Sequence, residues 1–134
     1  MRVIPLRQFG DVEFGSAADA LISLKGEPKR TRVKRSGLTE LDYGSIFYRF
    51  SQDGLLVEVT ADAPTLELDA VLVSFNLLAN YLREHDQSYF ERCGFSISPR
   101  FGVAHDPDFP SWVTAFPASS IGLWRGIHNS DAGA

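Results

Sequence analysis

The sequence predicts an α+β fold, an antiparallel β-sheet with two helices packed on one face, with a tandem α-β repeat as its internal plan. Three observations lead there. The stretch YGSIFYRFSQDGLLVEVT, residues 43–60, reads as strand, tight turn, strand. Two segments, 16–25 and 74–86, carry apolar residues at helical spacing. A looser echo of the first stretch, FGVAHDPDFPSWVTAF at 101–116, again opens aromatic-Gly, passes an Asp-containing turn and reaches a Val-Thr pair.

Taken in chain order, VIPLRQF is a first strand or an extended lead-in. Ser16 has the chemistry of an N-cap, with Asp19 three residues on. Ala17, Ala20, Leu21 and Leu24 form an apolar stripe, Gly26 suits the position after the helix, and Pro28 forbids continuation. KRTRVKRSGLTELD reads as extended with a turn at RSG. In SIFYRF, Ile46, Tyr48 and Phe50 share one face, and Phe47 and Arg49 the other. After the SQDG turn, Leu55, Val57 and Val59 share a face of the returning strand. TLELDAVLV is a short strand leading into the second helix, where Val71, Phe75, Leu78 and Leu82 keep helical spacing and Ser74 caps. Short strands follow around Gly94 and Pro99. SWVTAF is a strand with Trp112, Thr114 and Phe116 on one face, and SIGLWRGI adds an edge strand. The order, helix then strands, predicts a single domain over 1–127 built of units at 9–61 and 65–125. The polar tail 128–134 is expected to be disordered.

The 134 residues are enough to bury a core without metals or disulfides. The single cysteine, Cys93, excludes an internal disulfide framework and a cysteine-based zinc cluster. The opening MRVIPLRQFG has no long apolar run, and no stretch approaches a membrane span, so the expectation is a cytoplasmic protein with no membrane partner. The net charge of −4 is uneven. KGEPKRTRVKR, 25–35, holds six of the thirteen bases and one acid, which leaves about −9 on the remainder. An acidic body steers towards basic partners and away from non-specific nucleic-acid binding.

No signature of an enzyme stands out. His85-Asp86 and His105-Asp106 read as a helix end and a turn, and Cys93 as a half-buried structural thiol. There is no phosphate loop and no dinucleotide fingerprint. The expectation is therefore no catalytic residues, no metal and no cofactor. The basic segment contains no aromatic residue to stack on a base, and its bases suit a sheet edge guarded against aggregation.

Ten Phe, four Tyr and two Trp are many for this length, and they fall on both faces of the strands. Aromatic residues and arginine dominate binding hot spots. The contact candidates are Phe47, Tyr48, Arg49, Trp112, Phe116 and Trp124; because the exposed strand face is unassigned, they cannot all serve together.

The stretch FGSAADALISLKGEPKR…LDYGSIFYRFSQDGLLVEVT resembles the helix-plus-sheet unit of the β-lactamase-inhibitor-like and SmpA/OmlA-like proteins. In those a short helix ending in Gly-x-Pro precedes a strand with Tyr-Gly and a Phe-rich hairpin. The resemblance covers 9–61 better than 65–116 and implies tandem units whose open sheet face binds another protein. In general character the chain is similar to bacterial toxin immunity proteins, which are small, acidic and aromatic-rich. The expected function is non-enzymatic protein binding that neutralises a cognate toxin or enzyme, such as a basic toxin, by steric block. The competing expectations are a nucleic-acid-binding regulator using 25–35 and a small homodimeric protein that buries its aromatic face against a second copy.

Overall fold

The computed structural model describes residues 1–127. Three short strands open the chain, β1 (Arg2–Ile4), β2 (Gln8–Phe9) and β3 (Val12–Glu13), followed by helix α1 (Ala18–Lys25). Four strands come next: β4 (Arg30–Val33), β5 (Thr39–Asp42), β6 (Ile46–Phe50) and β7 (Leu56–Asp62). The hairpin β8 (Thr65–Leu68) and β9 (Val71–Ser74) leads into helix α2 (Phe75–His85). Four more strands follow: β10 (Phe90–Arg92), β11 (Phe95–Ser98), β12 (Val103–His105) and β13 (Trp112–Ala115). A 3-10 turn at Ala118–Ser120 and helix α3 (Ile121–Arg125) complete the described chain.

The expected α+β class, a sheet with two helices packed on one face, is overturned. The described chain is about 40% strand and 21% helix, with thirteen strands in two sheets and three short helices. The segments expected to be lead-in and linker explain the difference. β1 pairs with β8 in parallel, and each is flanked by its own hairpin partner, giving a five-stranded sheet in the order β3-β2-β1-β8-β9. Val3, Phe9, Val12, Leu66, Leu68 and Val73 turn their side chains from this sheet into the main core. A second correction concerns SIGLWRGI, which is helical rather than an edge strand. The tail expectation, 128–134, lies outside the described residues.

The larger sheet is antiparallel throughout, in the order β10-β11-β12-β13-β7-β6-β5-β4. Each half of the chain supplies a helix and then a four-strand meander, and the meanders meet through their last strands, β7 and β13. The sequence echoes fall at matching places. Tyr43-Gly44 turns between β5 and β6, and Phe101-Gly102 between β11 and β12. Val59-Thr60 and Val113-Thr114 lie on the two central strands, where Thr60 is directly opposite Thr114. Gly102 is needed at its position. Its φ is +64°, and a Cβ there would lie 2.5 Å from the Phe116 carbonyl oxygen and 2.7 Å from Leu6 Cδ2.

One face of the large sheet carries Leu41, Tyr48, Phe50, Val59, Val113 and Ala115, all buried in the main core. Leu21 of α1 and Phe75, Leu78 and Leu82 of α2 enter the same core. The Leu55, Val57, Val59 alternation expected for β7 is broken by a bulge. Arg49 pairs with Glu58 but Phe50 pairs with Leu56, so Val57 is the extra residue and Leu56, not Leu55, joins the core.

Candidate functional site

The site lies on the other face of the large sheet, and its chemistry follows from register. Alternation along β5 sends Leu41 into the core and Glu40 to the opposite face. Antiparallel pairing then sets Arg32 against Glu40, Glu40 against Arg49, and Arg49 against Glu58. Unlike charges therefore alternate across four adjacent strands.

The geometry is tight. Arg32 Nε donates to Glu40 Oε1 at 2.7 Å and Arg49 Nε to Glu40 Oε2 at 2.8 Å. Arg49 Nη1 donates to Glu58 Oε2 at 2.7 Å and to Thr60 Oγ1 at 2.6 Å. Thr60 and Thr114 share a 2.7 Å hydroxyl–hydroxyl bond that carries the ladder across the β7–β13 junction. The Glu40 side chain is 1% exposed. Burial alone would raise its pKa, but the hydrogen bonds from Arg32 and Arg49 outweigh burial and hold it below the usual carboxylate value. Lys34 joins the same cluster with its side chain 8% exposed. Burial first, and then repulsion from the Arg49 guanidinium, lower its pKa.

Lys34, Arg49, Glu58, Thr60 and Thr114 of this cluster line one end of a half-open groove of about 770 Å³. Its floor includes Arg49, Glu58, Thr60 and Thr114, and the bulged Val57 lies beside them. The β4–β5 turn forms one wall, α3 another, and the loop after His105 a third. The far end is apolar. Trp124 stacks on Phe116 at 5.6 Å and meets Phe95 edge-on at 5.4 Å. With Ile97 and Ala104 they form a second small core that seats α3 on the sheet. Phe47 and Trp112 touch on the same face at 5.8 Å, with the Arg49 guanidinium 6.0 Å over the Phe47 ring. Phe109 and Leu123, at 65% and 67% exposure, border the groove.

The six residues expected to contact a partner divide. Phe47, Arg49, Trp112 and Trp124 belong to the groove face, although Trp124 spends part of its surface on Phe116. Tyr48 and Phe116 are corrected to core. Tyr48 is 3% exposed because strand alternation turns it away from Phe47, and its burial pushes the phenol up to about 12. Phe116 is fully buried beneath Trp124. Sequence reasoning missed Lys34, Glu40, Glu58, Phe109 and Leu123. For Glu40 a signal existed, since it and Asp42 flank the apolar Leu41 in a strand.

The basic segment 25–35 is largely matched by acids. Lys25 bonds Asp11 at 2.8 Å, Arg30 bonds Asp42 at 3.1 Å, and Arg32 and Lys34 face Glu40. β4 itself is the exposed edge of the sheet. Cys93 sits half-buried in the turn between β10 and β11, its Sγ 3.7 Å from the Ile127 carbonyl oxygen. His85 ends α2, exposed, with Tyr81 4.4 Å away. His105 is 1% exposed with both ring nitrogens unpaired, and its ring meets Phe75 edge-on at 5.2 Å. Burial drives its pKa down to about 4, so at neutral pH it is an uncharged core residue. Among the described residues, no group of three acidic, histidine or cysteine side chains is placed to hold a metal, and no helix is long and apolar enough to cross a membrane.

Fold and site together define a sheet-rich protein whose large antiparallel sheet keeps one face for the core and uses the other to build a charged and aromatic groove. No family model, curated protein or solved structure matches the chain.

Proposed function

We propose that the protein is a non-enzymatic binding module whose groove face docks on another protein, and that it neutralises a cognate toxin or enzyme by covering its working surface. The observation that carries this reading is that Trp112, Phe109 and Leu123 line the same groove as the fixed charges Arg49 and Glu58, with Phe109 and Leu123 largely exposed. Exposed aromatic and aliphatic groups gathered in one patch mark interaction surfaces. The floor adds register, because Arg49 is held by both Glu40 and Glu58 before any partner arrives. The acidic body outside 25–35 suits a partner with a basic surface, as an immunity protein for a basic toxin would require. The resemblance to β-lactamase-inhibitor-like proteins implies the same use of an open sheet face.

The test is affinity capture from the cells that make the protein, with wild type and Trp112→Ala compared by mass spectrometry. A single heterologous protein should be enriched by the wild type. Binding of that purified protein should weaken by about 2 kcal/mol or more in the variant while the melting temperature holds. Equal capture by both proteins would remove Trp112 from the contact. Recovery of nothing but a second copy of the chain would assign the face to self-association.

A further inference from the structure

The groove contains an unbalanced charge. Its polar end is lined by Lys34, Arg49 and Glu58, part of a cluster in which three cations, Arg32, Lys34 and Arg49, meet two carboxylates, Glu40 and Glu58. The carboxylates are already committed. Glu40 accepts hydrogen bonds from Arg32 and Arg49, and Glu58 from Arg49. Lys34 is the member left over. Among the described residues its ammonium has one ionic neighbour, Glu40 Oε2 at 3.6 Å, which is beyond hydrogen-bond length. Its side chain is nonetheless more than nine-tenths buried against the groove wall. The stem is what is buried; the Nζ atom keeps an opening to the groove that Lys34 lines, and an ammonium so placed, with no hydrogen-bonded counterion, is a poised anion receptor. Two further charged groups of the groove lining matter to the balance. Arg35 also lines the groove and adds positive charge. Asp106 lines it too and offsets that charge, so the excess of one cation stands; its Oδ1 accepts the Asp108 backbone N–H at 2.9 Å.

The rest of the groove is unlike this end. Phe95, Trp112, Leu123, Trp124 and Ile127 offer apolar surface, and the volume of about 770 Å³ lies in the range of small-molecule sites. A ligand that satisfies both ends has an apolar body and one anionic head. We infer that the groove binds a small amphipathic anion, an aliphatic or aromatic carboxylate or sulfonate, with its head on Lys34 and its body along the Trp112–Trp124 wall. The site uses the protein alone and goes beyond partner binding, so its failure would leave the protein-docking reading standing.

The probes are octanoate, 1-octanol and octylammonium, titrated into the isolated full chain. Binding is followed by calorimetry and by the two tryptophan indole N–H resonances. Both tryptophans of the chain line the groove, so each resonance reports on the site. Octanoate should bind about tenfold more tightly than octanol, the ratio expected for one charge-assisted hydrogen bond in a sheltered site. Octylammonium should bind more weakly than either. Lys34→Met, which keeps the length of the stem, should bring octanoate down to the affinity of octanol and leave octanol unchanged. Equal binding of octanoate and octanol by wild type would overturn the inference, as would octanoate binding that moves neither indole. If Lys34→Met fails to fold, the wild-type ratio and the indole shifts still decide.

Discussion

The two faces of the large sheet solve opposite problems with the same strands. On the core face, Tyr48, Phe50, Val59 and Val113 are buried by the small sheet and two helices, and specificity comes from shape. On the groove face, Glu40 is just as deeply buried, but with its two carboxylate oxygens taking hydrogen bonds from Arg32 and Arg49. His105 makes the contrast plain. It shares Glu40's 1% exposure, yet it lies on the core side with neither ring nitrogen paired. Glu40 is stable by being fully partnered and charged, His105 by being neutral. The groove face uses the first solution and so presents fixed charge to the outside, which is the property a recognition surface needs.

The contrast breaks most sharply at Glu40. Glu40→Gln removes the carboxylate that three cations share, leaving Arg49 and Lys34 sheltered and in mutual repulsion. Denaturant unfolding should show a loss of about 3–5 kcal/mol, the usual cost of breaking a buried ion pair from one side. A loss below about 1 kcal/mol would mean that the cluster is solvated like an ordinary surface network.

His105 tests the other solution through pH. Its folded pKa, about 4, lies below its ordinary value of 6.5, so the unfolded chain takes up a proton first as pH falls. Stability should be complete above about pH 6.5 and decline by roughly 3 kcal/mol on the way to pH 4. His105→Leu should flatten that slope and leave stability at pH 7 unchanged or higher, because an unpaired buried N–H is removed. Glu40 and Asp86 act in a lower window. Both have pKa values held below normal, so their contributions are lost as pH falls beneath the ordinary carboxylate values of 4.5 and 3.8. For Asp86, burial opposes the shift and the Ser88 and Ser98 hydroxyls overcome it.

Gly102 couples the faces, since its carbonyl accepts the Phe116 N–H at 2.8 Å where the chain leaves β13 for the small core under α3. Gly102→Ala should cost about 3 kcal/mol through left-handed strain and contact with the Phe116 carbonyl, read as a drop in melting temperature. The smallest effect belongs to Thr114→Val, which removes one hydroxyl bond at the β7–β13 seam while keeping shape. It should cost about 1 kcal/mol in the same unfolding assay.

Local pattern made part of this legible. The alternation in SIFYRF separated Tyr48 and Phe50 from Phe47 and Arg49, and the structure keeps that division. Helical spacing located Phe75, Leu78 and Leu82 on the buried side of α2. What was illegible depends on distant partners. β1, β2 and β3 are two or three residues long, too short for a periodic signal, and β1 is completed by β8 more than sixty residues away. Val57 looked like one more inward residue because a bulge leaves no mark in a run of valines and leucines. SIGLWRGI is apolar enough for either a strand or a helix, and contact with Phe116 and Phe95 decides for the helix. The charge ladder needed the register of four strands, without which Arg32, Glu40, Arg49 and Glu58 are only scattered charges.

The central claim is that the groove face, not the rest of the surface, meets another protein. A photo-crosslinking amino acid placed at Phe109 or Leu123 on the groove rim, and in separate proteins at Leu24 or Leu72, gives the direct test in the producing cells. All four positions are more than half exposed, so each can carry the label without disturbing the core. The rim positions should give one discrete crosslinked species with a different protein, and Leu24 and Leu72 should give none. Crosslinks from Leu24 or Leu72 alone, or rim crosslinks solely to another copy of the chain, would contradict the account.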